Sequence, residues 1–300
     1  MLTDRPRIDL PPREEVREKA PRERASRPAA AAEPPPQRAA GAAFLALAEE
    51  RLRNIRRSFT WAWLDTVCRY RRSKIGPIWE TINVLFLVAG MTVVSSVVIG
   101  GRPAENLPYI GLGMIIWTAL SALVNEGTGA FLYNASYITG STMPVDLYIG
   151  RTVCKSFITF CHHIVLYVLA LVFLPIYFGW ISLASLIGLA LLFVNGFWIV
   201  GVLAFLSARF RDLEMIVRNL MQVVFFVTPI FWSSAVLTGP RRSIVDWNPF
   251  FYFLELVRRP LLGEMPPLYF YGVALGMTAL GYAILFLVYR RLRPYLALFV

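Results

Sequence analysis

The sequence predicts an all-α membrane protein with six transmembrane helices, an amphipathic helix at the membrane interface and a re-entrant segment before the last span. Of its 300 residues, 57% are hydrophobic and only 16% are charged, whereas roughly a quarter of the residues in soluble proteins are charged. No Asp, Glu, Lys or Arg occurs between Ser156 and Ala208. One span needs roughly 20 apolar residues, so this run alone is long enough for two.

The residues that precede the spans divide into two segments. Residues 1–42 are rich in Pro, Ala, Arg and Glu, and they have almost no large apolar side chains with which to form a core. We expect them to be a disordered tail. In residues 43–75, Phe, Trp and Leu recur at helical spacing between arginines. This pattern predicts an amphipathic helix on the membrane surface, although a soluble helix packed on a partner remains an alternative.

Residues 76–300 are predicted to form the transmembrane domain. Further charge-free runs occupy Thr81–Gly101, Asn106–Asn125, Asn219–Pro240 and Met265–Tyr289. With the long run described above, they predict spans at 78–100, 107–127, 155–176, 181–206, 216–237 and 268–289.

The basic residues predict the orientation, because Lys and Arg accumulate in cytoplasmic loops. If the N-terminus is inside, the outer loops hold only five, namely Arg102, Arg241, Arg242, Arg258 and Arg259. The inner segments hold sixteen, namely Arg51, Arg53, Arg56, Arg57, Arg69, Arg71, Arg72, Lys74, Arg151, Lys155, Arg209, Arg211, Arg218, Arg290, Arg291 and Arg293. Both termini are therefore predicted to be cytoplasmic.

The outer segment before the last span is too apolar for a solvated loop and too short to cross a membrane. It runs from Trp247 to Gly263, and Pro249 and Pro260 fit helix start and stop signals. We expect a re-entrant or interfacial segment. Its candidate functional residues are Asn248, Pro249, Phe250, Tyr252, Glu255 and Arg258.

Polar residues within the predicted spans are candidates for a transport pathway, because such residues usually face a bundle interior or a water-filled cavity. They are Glu80, Asn83, Glu126 and Asn195. For Glu80 and Glu126, which lie near the predicted cytoplasmic interface, a simple solvated role is an equal alternative.

The sequence lacks the motifs of an enzyme. A nucleotide-binding P-loop needs Gly-Lys followed by Ser or Thr, and none of the three lysines, Lys19, Lys74 and Lys155, follows a glycine. The three cysteines have no metal-binding spacing, so no metal site is expected. The net charge of +11 comes from arginines that flank apolar runs, which argues against nucleic acid as a partner.

Four segments, in this order, resemble the ABC-2 permeases that export polysaccharides such as O-antigen, teichoic acid and capsule. They are RYRRSKIGPIWETIN (Arg69–Asn83), NASYITGSTMPVDLYIGRTV (Asn134–Val153), FRDLEMIVRNLMQVVFFVTPIFW (Phe210–Trp232) and NPFFYFLELVRRPLLG (Asn248–Gly263). The resemblance covers residues 50–293. It departs from the family at Glu80 and Asn83, where the family is more apolar, and before Pro144, where the family more often has a basic or aromatic residue.

The resemblance implies a homodimeric permease in a bacterial inner membrane, with its outer segment on the periplasmic side. It also implies a separate ATPase subunit that binds ATP and Mg²⁺, so that this chain needs no cofactor. The substrate would be a polysaccharide on a polyprenyl diphosphate, as in lipopolysaccharide biosynthesis. The second segment would dock on the ATPase through Thr142, Met143, Pro144, Val145, Asp146 and Tyr148.

A basic group before the first span is the candidate site for the substrate diphosphate. It comprises Arg69, Arg71, Arg72 and Lys74. Arginine can hold phosphate oxygens with two parallel hydrogen bonds. The alternative is membrane anchoring, because basic residues at this depth also attract anionic lipid.

Two other functions remain open from the sequence. Other ABC-2 exporters share the six-span plan, so the substrate could be a small amphiphile or drug. A membrane-embedded lipid-linked sugar transferase would be an enzyme, but it would need paired carboxylates or a metal site at one membrane face, which the sequence does not offer.

Overall fold

A computed structural model describes residues 37–300, apart from 77, 99, 101, 142, 175, 177–178 and 235–236. The described residues form helices and no β-strand. The helices are α1 (Gln37–Tyr70), α2 (Ile78–Val98), α3 (Pro103–Gly129), α4 (Ala135–Gly140), α5 (Asp146–Phe173), α6 (Ala184–Arg209), α7 (Leu213–Val227), α8 (Ser243–Asp246), α9 (Pro249–Leu261), α10 (Leu268–Leu292) and α11 (Leu296–Phe299). Short 3₁₀ turns precede α4, α6, α8 and α11.

Five helical stretches are long and apolar enough to cross a membrane. They are Ile78–Val98, Pro103–Gly129, Asp146–Phe173, Trp180–Arg209 and Leu268–Phe299. Five of the six predicted spans are thus confirmed as helices of spanning length. The sixth, predicted at 216–237, differs, because α7 has only 15 residues and ends at Val227. Thr228 is extended because it precedes Pro229, and residues before proline are disfavoured in the helical region.

Helix α3 forms the centre of the bundle. It packs against α2, α5, α6, α7 and α9, and most of its length is buried. Gly113 marks one close approach, since a Cβ there would lie 2.8 Å from the carbonyl oxygen of Ile230. The polypeptide after α7 can therefore lie directly against α3.

Helix α9 is the most buried short element. Its apolar residues pack against α3, α6 and α10. Gly188 of α6 allows this packing, because a Cβ there would overlap the backbone of Leu256. Pro249 occupies the first turn, as predicted, and the Asn248 side chain caps the helix by accepting a hydrogen bond of 3.0 Å from the Phe250 amide.

Helix α1 contacts the bundle through small residues and Trp61, and it leaves other large apolar residues exposed. Ser58, Ala62 and Thr66 are buried, and the Ser58 hydroxyl donates to the carbonyl oxygen of Leu147 (3.3 Å). Phe59 and Trp63 are about half exposed. The predicted tail lies outside the described residues except for 37–42, which form the start of α1.

Candidate functional site: a polar groove and its supports

An open groove of about 920 Å³ runs along α2, α3 and α7. Its polar lining comes mainly from one face of α3, where Thr118, Ser121 and Asn125 recur at helical spacing. Gln222 and Arg218 add polar groups from α7. Polar side chains in this number are unusual on a membrane-spanning helix, where polar residues usually face the bundle interior or a water-filled cavity.

The same groove has an aromatic wall. Trp117 of α3 and Phe225 of α7 pack with ring centroids 5.7 Å apart, and Phe226 lies beside Phe225 at 5.3 Å. Phe226 is 62% exposed and so presents its ring to the groove. A wall of flat apolar faces next to hydroxyl and amide groups suits a ligand that is amphipathic and polyhydroxylated.

The structure places the four predicted intramembrane polar residues in different surroundings. Glu126 lines the groove. Asn195 is buried away from it and bonds to Thr278 and Trp198, each at 2.8 Å, so that it joins α6 to α10. Glu80 pairs with Arg69 (3.5 Å) and accepts a hydrogen bond from Tyr70, while Asn83 is exposed.

The basic group at the C-terminal end of α1 borders a surface cavity of about 440 Å³, which is lined by Cys68, Arg69, Arg71 and Arg72. Arg69 is held by Glu80, whereas Arg71, Arg72 and Lys74 have no ion-pair partner among the described residues. Burial and the hydrogen bond to Glu80 raise the pKa of Tyr70 to about 12, so its hydroxyl stays protonated and keeps donating to Glu80. Tyr70 thereby helps to hold Glu80 close to Arg69.

The predicted docking segment is only partly exposed. Thr142 lies outside the described residues, Met143 and Pro144 are exposed, and Val145 and Asp146 are half-buried at the start of α5. Tyr148 is buried and packs against Trp61 of α1, with ring centroids 5.7 Å apart. Among the described residues of this segment, Met143 and Pro144 are therefore the ones that a partner can reach most easily.

Among the predicted re-entrant residues, Phe250 packs on Trp117 with ring centroids 5.8 Å apart, and the Tyr252 hydroxyl donates to the carbonyl oxygen of Asp246 (2.8 Å). Glu255 and Arg258 form a buried polar cluster centred on Arg258, which is fully buried. Its guanidinium pairs with Glu255, donates to the carbonyl oxygen of Pro229 (2.9 Å) and to the Tyr109 hydroxyl (2.7 Å), and stacks over the Tyr109 ring. Arg259 also bonds to Glu255, at 2.8 Å. A buried guanidinium needs such partners, because an unpaired buried charge is very costly.

The backbone that follows α7 receives hydrogen bonds from three helices. Besides the bond from Arg258, the Ser95 hydroxyl donates to the carbonyl oxygen of Phe231 (3.0 Å). The Asn248 side-chain amide adds a bond to the Thr228 hydroxyl (2.8 Å). Tyr109 donates to Trp232 (3.3 Å). The bonds from Arg258, Ser95 and Tyr109 satisfy carbonyl groups that a continuous helix would have satisfied itself. Together with the Asn248 bond, they fix the end of α7 beside the groove.

The fold defines a polytopic α-helical membrane protein, and similar proteins place it more closely. Two proteins of Klebsiella pneumoniae, each named O-antigen export system permease protein RfbA, are 23% and 22% identical over 189 residues. These matches cover 62% of this chain and 72% of each relative. A Myxococcus xanthus protein of the same name is 25% identical over 193 residues, which cover 60% of this chain and 70% of the relative.

No protein-family model matches the chain. The three relatives nevertheless confirm the resemblance to ABC-2 polysaccharide exporter permeases that the four sequence segments indicated. Together with the five apolar helices, they support a transmembrane permease of an ABC transporter.

Proposed function

We propose that this chain is the membrane subunit of an ABC transporter that exports a polysaccharide linked to polyprenyl diphosphate from the cytoplasm to the periplasm. The groove along α2, α3 and α7 is the observation that carries the proposal. Sugars can stack on its aromatic wall and exchange hydrogen bonds with its polar face, without a deep site that would hold the chain in place.

The groove is open on one side, which fits a pathway that a second copy of the chain completes. In this proposal two copies face each other across the groove, α7 and α9 form a sixth, interrupted membrane element, and both termini are cytoplasmic. The ATPase subunit docks near Met143, and its closure on ATP moves the bundle between two states.

The unpaired arginines at the end of α1 are the proposed receptor for the diphosphate. Arg71 and Arg72 are exposed, border a cavity and have no carboxylate to compete with among the described residues. Each guanidinium can bind two phosphate oxygens. The exposed apolar face of α1 would keep these arginines at the depth of lipid headgroups.

Deletion of the gene in its own host tests this proposal. We expect the polysaccharide to accumulate inside the cell and to disappear from the surface, and the wild-type chain supplied in trans should restore it. Unchanged surface polysaccharide, with lost resistance to a small amphiphile, would instead support a drug exporter. Complete loss of the polymer, inside and outside, would support a sugar transferase.

A further inference from the structure

A second cavity, of about 330 Å³, lies between α1, the end of α3 and the start of α5. Its charged and amide groups are Asp65, Arg69, Glu126, Asn134, Arg151 and Lys155. None of the predicted roles includes this cavity as a whole, because its residues come from three separate parts of the sequence.

The cavity connects two features described above. Arg69 also lines the basic surface cavity that holds Arg71 and Arg72, and Glu126 also lines the groove. The three spaces therefore follow one another in the order basic surface, polar cavity, aromatic groove. A substrate with its diphosphate at the first and its glycan in the third would place its first sugars in the second.

The charges in the cavity are balanced, which favours a neutral ligand over a phosphate. Lys155 pairs with Glu126 (2.7 Å), Arg151 pairs with Asp65, and Arg69 pairs with Glu80 (3.5 Å). An anion would have to compete with a carboxylate at each of these cations. In contrast, Arg71 and Arg72 offer unpaired charge at the surface.

The paired groups keep hydrogen-bonding capacity for a ligand. Asp65 and Glu126 each bond to their cation through one oxygen, and the second oxygen has no donor among the described residues. Lys155 uses one of its three donors in its hydrogen bond to Glu126, and Arg151 uses Nε for Asp65 and one terminal nitrogen for Asn134 (2.5 Å). Sugar hydroxyls both donate and accept, so they match this mixture of free donors and acceptors.

The side chains are also held in place before any ligand arrives. Asn134 donates to the carbonyl oxygen of Ala130 (2.8 Å) while it accepts from Arg151, and the Arg151 guanidinium stacks over Trp61 at 5.0 Å. The side chains of Arg151 and Lys155 are 21% and 17% exposed, so they are partly desolvated but open to the cavity. Such preorganisation reduces the entropy cost of binding.

We infer that this cavity is a binding site for the pyranose attached directly to the substrate diphosphate. The inference rests on the proposed function, since it takes the diphosphate position at Arg71 and Arg72 as given. The site would let the permease select a substrate by its first sugar, independently of the polymer that follows.

Binding of short synthetic lipids to the full chain in lipid nanodiscs tests the inference. The probes are a short polyprenyl diphosphate, the same lipid carrying one glucose, galactose or N-acetylglucosamine, and the corresponding polyprenol without phosphate. We expect at least one glycosylated probe to bind about ten-fold more tightly than the bare diphosphate, because hydrogen bonds to charged groups contribute most. Equal affinity for the bare and the glycosylated diphosphates would overturn the inference. The proposed diphosphate receptor would still stand in that case if all the diphosphates bind more tightly than the polyprenol.

The double variant Glu126→Leu/Lys155→Met removes an ion pair from the cavity without changing net charge. The double variant should abolish the additional affinity that the sugar provides and leave the affinity for the bare diphosphate unchanged. The unchanged affinity would also show that the variant is folded. Thr152→Val, nearly isosteric and in the same cavity, should reduce the gain about three-fold. The exposed pair Arg242 and Asp246 is the control, and Arg242→Gln/Asp246→Asn should change neither affinity.

Equal loss of affinity for both kinds of probe in the double variant would contradict a sugar site, since it would mean that the cavity serves the diphosphate or the fold. Diphosphates that bind no more tightly than the polyprenol would instead refute the proposed receptor, and the inference with it.

Discussion

At the scale of single residues, the described part of the molecule has its most deeply buried charge at Arg258. This side chain joins α9, through Glu255, to Tyr109 of α3 and to the backbone at Pro229. The sequence predicted Arg258 as a functional residue of the outer segment, but it did not predict the contacts with Tyr109 and Pro229. Pro229 and Tyr109 lie 29 and 149 positions away in the sequence, beyond the reach of helical spacing.

Replacement of Arg258 by glutamine should reduce the free energy of unfolding by about 3 kcal/mol, because removal of one partner of a buried ion pair strands the other groups. Arg259 is the matched control, since it lies on the same helix and bonds to the same Glu255 but is 27% exposed. Arg259→Gln should cost about 1 kcal/mol or less. Unfolding of the purified variants in mixed micelles measures both, and equal losses would refute the special role of Arg258.

Export should require the shape of the Arg71 and Arg72 guanidinium groups as well as their charge. Arg71→Lys/Arg72→Lys keeps the charge but removes the two-pronged hydrogen bonding, so we expect normal insertion and at least ten-fold slower export. Arg290→Lys/Arg291→Lys, at the exposed end of α10, is the control and should export normally. Surface polysaccharide in complemented cells gives the rate, and wild-type export by the Arg71 and Arg72 variant would indicate simple electrostatic anchoring.

The groove residues show which signals the sequence contained and which it did not. Thr118, Ser121 and Asn125 lie on one face of α3 at helical spacing, so periodicity alone could have predicted that face. Asn195 looked similar in sequence, yet it is satisfied inside the bundle by Thr278 and Trp198. A lone polar residue does not reveal its surroundings, whereas a polar stripe indicates a face.

At the scale of helices, apolar length predicted five spans well and failed where the chain is irregular. The charge-free run at Asn219–Pro240 is long enough for a span, but Pro229 and the hydrogen bonds around it end α7 after 15 residues. Hydropathy does not record a break of this kind, because the residues after the break are also apolar. By contrast, Pro249 predicted the start of the outer helix, and α9 begins at this residue.

The first residues of the docking segment should contact the ATPase. Met143 is 49% exposed in this segment, and Met265, 62% exposed between α9 and α10, is a matched control. We expect Met143→Glu to reduce co-purification of the ATPase about ten-fold, because a charge would be buried in the interface without a partner. Met265→Glu should not change it. Normal recovery of the complex with Met143→Glu would remove this segment from the interface.

At the scale of the whole molecule, the excess of basic residues predicts an orientation that labelling can test. In a chain with Cys68, Cys154 and Cys161 replaced by serine, single cysteines at Arg102 and Glu264 should react with an impermeant reagent from the periplasm. Cysteines at Thr139 and Tyr295 should react only after the membrane is opened. Periplasmic labelling at Thr139 would contradict the proposed topology.

The central claim is that the chain forms the membrane pathway of an ATP-driven polysaccharide exporter, and transport by the purified complex tests it most directly. The chain and its ATPase subunit would be reconstituted in vesicles with the lipid-linked polysaccharide accessible on the ATPase side. We predict that ATP moves the polysaccharide to the opposite side, where an added glycosidase no longer reaches it, and that a Phe226→Ala/Gln222→Ala groove variant slows this movement at least ten-fold. Polysaccharide that stays fully accessible to the glycosidase while ATP is hydrolysed would contradict the claim.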